Sequence, residues 1–217
     1  MTIEKEKSGL THAAVMFGPL IERNTRKRYA IIYDLIRENR CRRLMEIGTY
    51  YGVHAKEMIE VAQRNGTVEY YGFDLFEDQS EQDFVHEFMP KREPPRYSEV
   101  NASLEKTGAS IKLFKGNTRA VLPAIAPSLP MMDFIYIDGG HSIETVENDW
   151  HYARGLMHNS TIVVFDDYYT KRMDIGCKMV IDLLPRSEFS VSLRPDDFGL
   201  FSEVGFRGTK LAVVRNA

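Results

Sequence analysis

Two cysteines, Cys41 and Cys177, are all this chain has in 217 residues. They form no zinc-binding pattern and are too few for a disulfide framework, so free thiols in a reducing, cytoplasmic setting are expected. No apolar run is long enough to span a bilayer, and the start, MTIEKEKSGL, has no apolar signal region. The sequons at Asn101 and Asn159 therefore carry no weight. Positive charge is not in excess: 28 Lys and Arg against 31 Asp and Glu leave a formal charge of -3, which argues against a dedicated nucleic-acid binder. The one basic stretch, residues 23–43, interleaves its charges with Tyr29, Ile31, Ile32, Leu35 and Ile36 and reads as a solvated helix face. There is no P-loop and no GxGxxG, which leaves pyrophosphate and dinucleotide binding without a motif. No repeat or low-complexity tract is evident.

What is present is an alternation of short apolar runs with amphipathic segments, the pattern of one α/β domain over residues 1–217 with helices on both faces of a mostly parallel sheet. Strands are expected at 43–47, 68–73, 111–114, 134–137 and 162–165, and an antiparallel hairpin from 189–193 and 210–214 completes seven. Helices are expected at 26–38, 54–64, 98–107, 118–125, from Ile143 through Ala153, and 174–184. In the helix after the fourth strand, Trp150 lies on the apolar stripe and reads as core. Residues 1–40 form an arm and helix. Residues 76–97, acidic and then proline-bearing, interrupt the pattern and read as an insertion over the strand edge, with the character of a mobile lid.

Two constellations carry chemistry. In MDFIYIDGGHS and TIVVFDDYYT, Asp138 ends one apolar run, His141 follows three residues later, and Asp166 and Asp167 end the next run. Neighbouring parallel strands end on one edge, so the three carboxylates converge there. Such a set suits a hard divalent cation, and the histidine beside it can accept a proton from a hydroxyl; helix capping is the competing explanation for a single aspartate. A helix N-terminus and a cation both disfavour imidazolium, so His141 is expected to titrate at or below its ordinary value. The second constellation is MEIGTYYGVHA, where Gly48 and Gly52 flank a turn after Glu46, with Asp74 at the end of the next strand. A carboxylate there can accept from both ribose hydroxyls, and the set favours an adenosine ligand. His54, in the first turn of the following helix, is within reach of the same ligand.

LMEIGTYYGVHA, YYGFDLF, IKLFKGNT, DFIYIDGGHS and TIVVFDDY occur in this order. Together they resemble the successive motifs of class I S-adenosylmethionine-dependent methyltransferases. The closer resemblance is to bacterial metal-dependent small-molecule O-methyltransferases of the macrocin and mycinamicin sugar type, from about residue 40 to the C-terminus. The resemblance implies a Rossmann-like fold and the cofactor S-adenosylmethionine. It places Glu46, Gly48, Tyr51 and Gly52 around the methionine moiety and its turn, and Asp74 on the ribose. Gly116, Asn117 and Thr118 then flank the adenine, although many relatives have Asp in place of Asn117. Asp138, Asp166 and Asp167 match the ligands of Mg2+ or Mn2+, with Asp138 also beside the cofactor, and His141 matches the general base. The implied reaction is O-methylation of a sugar, polyol or catechol-like acceptor in natural-product biosynthesis; charge and hydropathy give no nucleic-acid or membrane partner, and a homo-oligomer is compatible with the sequence, which leaves the oligomeric state open. The arm and the insertion match no known motif and are the parts expected to select the acceptor. A metal-independent N- or O-methyltransferase is the main rival, although the fourth strand is followed by IDGGH and not by an NPPY-like tetrapeptide. A non-catalytic adenosine-binding module is the other; it would have no use for three carboxylates and a histidine.

Overall fold

Residues that alternate between two apolar faces build the sheet at the centre of the fold. In the computed structural model, residues 29–194 and 209–217 are described. The parallel strands are β1 (Arg43–Ile47), β2 (Glu69–Asp74), β3 (Ser110–Lys115), β4 (Met132–Ile137) and β5 (Met157–Tyr169). β6 (Phe189–Arg194) and β7 (Thr209–Asn216) are antiparallel to each other, and β7 lies between β5 and β6 in the order β3-β2-β1-β4-β5-β7-β6. The expected Rossmann-like, seven-stranded, mostly parallel sheet is therefore observed.

Because successive side chains on a strand point to opposite faces, Leu44, Tyr70, Tyr136 and Val164 pack on one side of the sheet. They meet α1 (described over 29–38), α2 (Val53–Ala62) and α4 (Tyr97–Glu105) through Ile32, Ile36, Met58, Ile59, Val100 and Leu104. Their neighbours Met45, Phe73, Ile135 and Phe165 pack on the other side against α5 (Thr118–Ile125), α6 (Ile143–Gly155) and α7 (Lys178–Asp182). Trp150 of α6 is buried there against Phe165 and Phe189, so its role in the core is as expected. Burying an aromatic of this size contributes about 3–5 kcal/mol relative to alanine.

Three segments differ from the sequence reading. The stretch after β2 is not without structure: it makes a 3-10 turn at Phe76–Asp78 and then α3 (Glu81–His86), which opens with a reciprocal Ser80–Asp83 capping box. Phe76 and Phe84 are buried, and these two anchors, spread over an acidic stretch, escape a periodicity test. β5 does not stop at Phe165 but continues through Tyr169, because β7 still pairs with it at Tyr168 and Tyr169. The expected helix at 174–184 is confined to Lys178–Asp182, since the backbone of 176–177 is engaged by the loop after β4 and by Asp167. Residues 1–28, with the N-terminal arm, and the whole connection between β6 and β7 lie outside the described residues.

The chain runs outward from β1 to β3 and then returns to β4 on the other side of β1, so a crevice opens where β1 and β4 end. Gly48 sits in it with φ +95°, its N–H bonded to Phe73 O (2.8 Å), while Asp138 N–H bonds Ile47 O (2.8 Å). A Cβ on Gly48 would lie 2.1 Å from Asp138 O. Gly48→Ala should therefore destabilise the protein by about 2–4 kcal/mol through backbone strain and collision, read as a lower urea midpoint. An unchanged midpoint would mean that this turn can move aside.

Candidate active site

Three carboxylates meet where β4 ends and β5 breaks register with β7, and strand geometry explains two of them. Asp138 follows Tyr136 by two residues and Asp166 follows Val164 by two, so both project on the same face as those side chains. The Tyr136 hydroxyl lies between them, 2.7 Å from Asp166 Oδ2 and 3.1 Å from Asp138 Oδ2. In a regular strand Asp167 would point the other way. It does not, because β5 breaks register with β7 between Phe165 and Tyr168, Asp167 takes φ +55°, and its N–H is donated to Asp166 Oδ1 at 2.6 Å. Aspartate tolerates this left-handed conformation better than most residues. One oxygen from each of the three carboxylates then lies within 4.8 Å of the other two.

His141 Nε2 is 2.7 Å from Asp167 Oδ2, and Tyr169 presents its ring edge-on to the imidazole. Burial would lower the histidine's pKa, but the hydrogen bond and charge of Asp167, helped by Asp138 and Glu87, outweigh it and raise the value above the ordinary one. The expectation of an unshifted or lowered value counted a bound cation; the carboxylates by themselves act on the histidine in the opposite sense. The N-terminus of α6 is already occupied by a carboxylate, that of Glu87, so its dipole does not act on His141 alone.

The same crevice continues past β1 and β2 as a cleft of about 760 Å3, within the roughly 300–1,000 Å3 typical of small-molecule pockets. Glu46, Gly48, Tyr51, Asp74, Asn117, Thr118, Asp138, His141, Asp166 and Asp167 all line it. Glu46 is buried at its floor and bonded by the Tyr70 hydroxyl, which also meets Thr49. Burial, with Asp138 and Asp74 nearby, raises its pKa well above the usual range against the pull of that hydroxyl. Asp74 accepts the amides of Tyr50 and Phe76, each at 2.7 Å, so it ties the glycine turn to the end of β2. Its pKa is nevertheless raised, because burial outweighs those bonds. Asn117 caps α5 by accepting the Arg119 amide at 2.9 Å. Gly52 is apart from this group: it is the left-handed N-cap of α2, and its missing side chain faces Val100 and Leu104. His54 also lines the cleft, stacked on Tyr29 and 3.1 Å from the Tyr33 hydroxyl.

Sequence reasoning overlooked several residues. Tyr136 could have been found from its position two residues before Asp138 on the same strand face. Glu87 leaves no such signal: it is one acid among many in the insertion, yet it is buried and bonded to Ser142 and Thr145 of α6. The insertion also supplies a wall of the cleft with Phe84, Phe88, Met89 and Pro90. It is held to the turn after β1 where the hydroxyls of Tyr50 and Tyr51 reach Glu93 O at 3.4 and 3.3 Å, and Arg92 lies 5.8 Å from the centre of the Tyr50 ring.

A doubly wound sheet with a glycine turn after its first strand, and acids at the ends of the strands on either side, defines a Rossmann-like nucleotide-binding architecture. The family model described as "Methyltransferase domain" matches residues 45–168. That is more than half of the chain, which belongs to this family. Among solved structures, the O-methyltransferase TomG from Streptomyces achromogenes, involved in tomaymycin synthesis and solved with SAM, matches with TM-score 0.60 and 15% identity over 88% of this chain and 80% of its own. Cofactor-bound Rv0187 from MTB matches with TM-score 0.59 and 14% identity over 87% and 79%. An rRNA methylase from Streptococcus thermophilus matches with TM-score 0.57 and 11% identity over 86% and 94%. No curated protein matches the sequence significantly. At these identities the likeness is one of fold, and that fold serves different acceptors. No helix among the described residues is long and apolar enough to cross a membrane.

Behind the cleft wall, Asp149 of α6 is fully buried, and its Oδ2 has no hydrogen-bond partner. Burial raises its pKa to about 7 despite help from Thr118 and Asn148. Between the unfolded value near 4 and pH 7 the folded state holds one more proton than the unfolded state, so stability falls as pH rises through this window. The total is on the order of 4 kcal/mol at about 1.4 kcal/mol per pH unit. Asp149→Asn should match the wild type within about 1 kcal/mol at pH 4 and exceed it by several at pH 8, measured by urea unfolding. Parallel stability profiles for the two proteins would show that Asp149 does not titrate in this way.

Proposed function

We propose that this protein is an S-adenosylmethionine-dependent O-methyltransferase whose acceptor is a small molecule with neighbouring oxygens, and that it works with Mg2+ or Mn2+. The observation that carries the reading is the joining of two sets in one cleft: Asp138, Asp166 and Asp167 beside His141, and Glu46 and Asp74 beside the glycine turn. Cofactor-bound relatives of the same fold support it, TomG being an O-methyltransferase. The net charge of -3 favours a small molecule over nucleic acid.

The residues fit both groups. Three half-buried or buried carboxylates are an all-oxygen donor set suited to a hard cation. A buried acid at the cleft floor suits the amino group of a methionine moiety, and Asp74 suits ribose hydroxyls. Asn117 and Thr118 would flank the adenine. S-adenosylmethionine supplies a methyl group on a sulfonium, and a divalent cation supplies charge that lowers the pKa of an acceptor hydroxyl. The chain's own work is alignment, exclusion of water and proton removal. His141 accepts the hydroxyl proton at Nδ1, the ring nitrogen not bonded to Asp167, while Asp167, 2.7 Å from Nε2, accepts the Nε2–H, holds the ring and stabilises the imidazolium. Phe84, Phe88 and Met89 of the insertion shield the reacting atoms from water, and residues 76–97 act as a lid.

Labelled-methyl transfer to sugar and catechol libraries, with and without Mg2+, tests the reading. Turnover should vanish on chelation and return with Mg2+ or Mn2+, and His141→Ala should lower it by about 10^2–10^4. Full activity after exhaustive chelation would remove the cation and leave a metal-independent methyltransferase. Asp74→Ala should weaken S-adenosylhomocysteine binding about 5- to 150-fold in calorimetry, the equivalent of about 1–3 kcal/mol. Binding of NAD in place of S-adenosylhomocysteine by the wild type would overturn the cofactor assignment.

A further inference from the structure

The peptide unit that joins His141 to Ser142 is held at both ends. Its carbonyl, His141 O, accepts the Gly176 N–H at 2.7 Å. Its amide, Ser142 N, donates to Glu87 Oε2 at 2.8 Å. These two bonds fix the plane of the peptide, and with it the direction in which the His141 side chain leaves the backbone toward Asp167. One clamp comes from the loop after β5 and the other from the insertion.

Glu87 is built into this place. It follows directly on α3 and carries its carboxylate into the first turn of α6, where it also accepts from Ser142 Oγ at 3.2 Å and Thr145 Oγ1 at 2.7 Å. Its side chain is 9% exposed. A carboxylate at a helix N-terminus is favoured by the free amides and the dipole, although Ser142 alone already caps α6 through the Thr145 amide. A Cβ on Gly140 would lie 2.3 Å from Glu87 Oε2, so the turn after Asp138 leaves room for this carboxylate by having no side chain there. Capping α6 needs no residue from so far away in the chain; fixing the turn from the insertion does.

We propose that Glu87 is a positioning residue, through which the insertion between β2 and α4 sets the orientation of the His141 peptide unit. The wall of the cleft formed by Phe88, Met89 and Pro90 begins at the residue after Glu87, so whatever displaces that wall also loosens the turn that carries the histidine. The assignment of His141 as base rests on the proposed function; the clamp itself does not.

Amide hydrogen exchange of the 15N-labelled full-length chain, followed by NMR at Ser142 and Gly176, tests this without an acceptor. Gly176 does not bond Glu87, so a role limited to capping α6 leaves its exchange unchanged. Glu87→Ala and Glu87→Asp should speed exchange at both amides by about tenfold or more, with the β4 and β5 core amides unchanged. Glu87→Gln keeps an oxygen that accepts from Ser142 and should stay near the wild-type rate. Gly176 exchange within about twofold of wild type in both the Ala and Asp variants would overturn the proposal, as would an equal rise at the core amides. If the Ala variant does not fold, the Asp and Gln pair decides.

Discussion

Like charges brought to one edge of a sheet are the constraint on which the rest of this structure depends. Asp138, Asp166 and Asp167 offer oxygens within 4.8 Å of one another. Two unit charges 4 Å apart repel by about 4 kcal/mol at an effective dielectric of 20. The surroundings answer that repulsion locally. Tyr136 places a hydroxyl between two of the carboxylates, the break in β5 gives Asp166 a backbone amide, and His141 lies against the third. The raised pKa of His141 is the other side of the same balance: in a buried setting that should discharge it, the carboxylates win. A group of acids kept at this cost, in a cleft with a buried glutamate at its floor, is the reason we propose a cationic partner for them.

The fold was legible because its signals are local and periodic. Each parallel strand has apolar residues on both faces, and the strands end in residues that do not belong in a core: Gly48, Asp74 and Asp138. α5 was read at Thr118–Ile125, as the structure has it. The candidate site was legible to the same depth, because residues at the ends of adjacent parallel strands share an edge whatever the details of packing. Membership of the methyltransferase family follows the same sequence signals, from residue 45 to residue 168.

What escaped the sequence depends on long-range contacts. Nothing in EFMPKREPPRY marks Glu87 as buried, because its partners Ser142 and Thr145 are more than fifty residues away. The turn of Asp167 back toward Asp166 comes from a register break set by β7. The shortened α7 comes from the capture of Gly176 and Cys177 by His141 O and Asp167 O. In each case local propensity lost to a bond made with the site, so the departures from the sequence reading gather around the three carboxylates. This is expected where function and local preference compete.

The most direct measurement is the binding of Mn2+ to the protein saturated with S-adenosylhomocysteine, followed by electron paramagnetic resonance and calorimetry. The account predicts one saturable site per chain, displaced by Mg2+ and weakened at least about tenfold by Asp166→Asn or by Asp138→Asn. No saturable binding by the wild type, or binding that survives both substitutions unchanged, would contradict it.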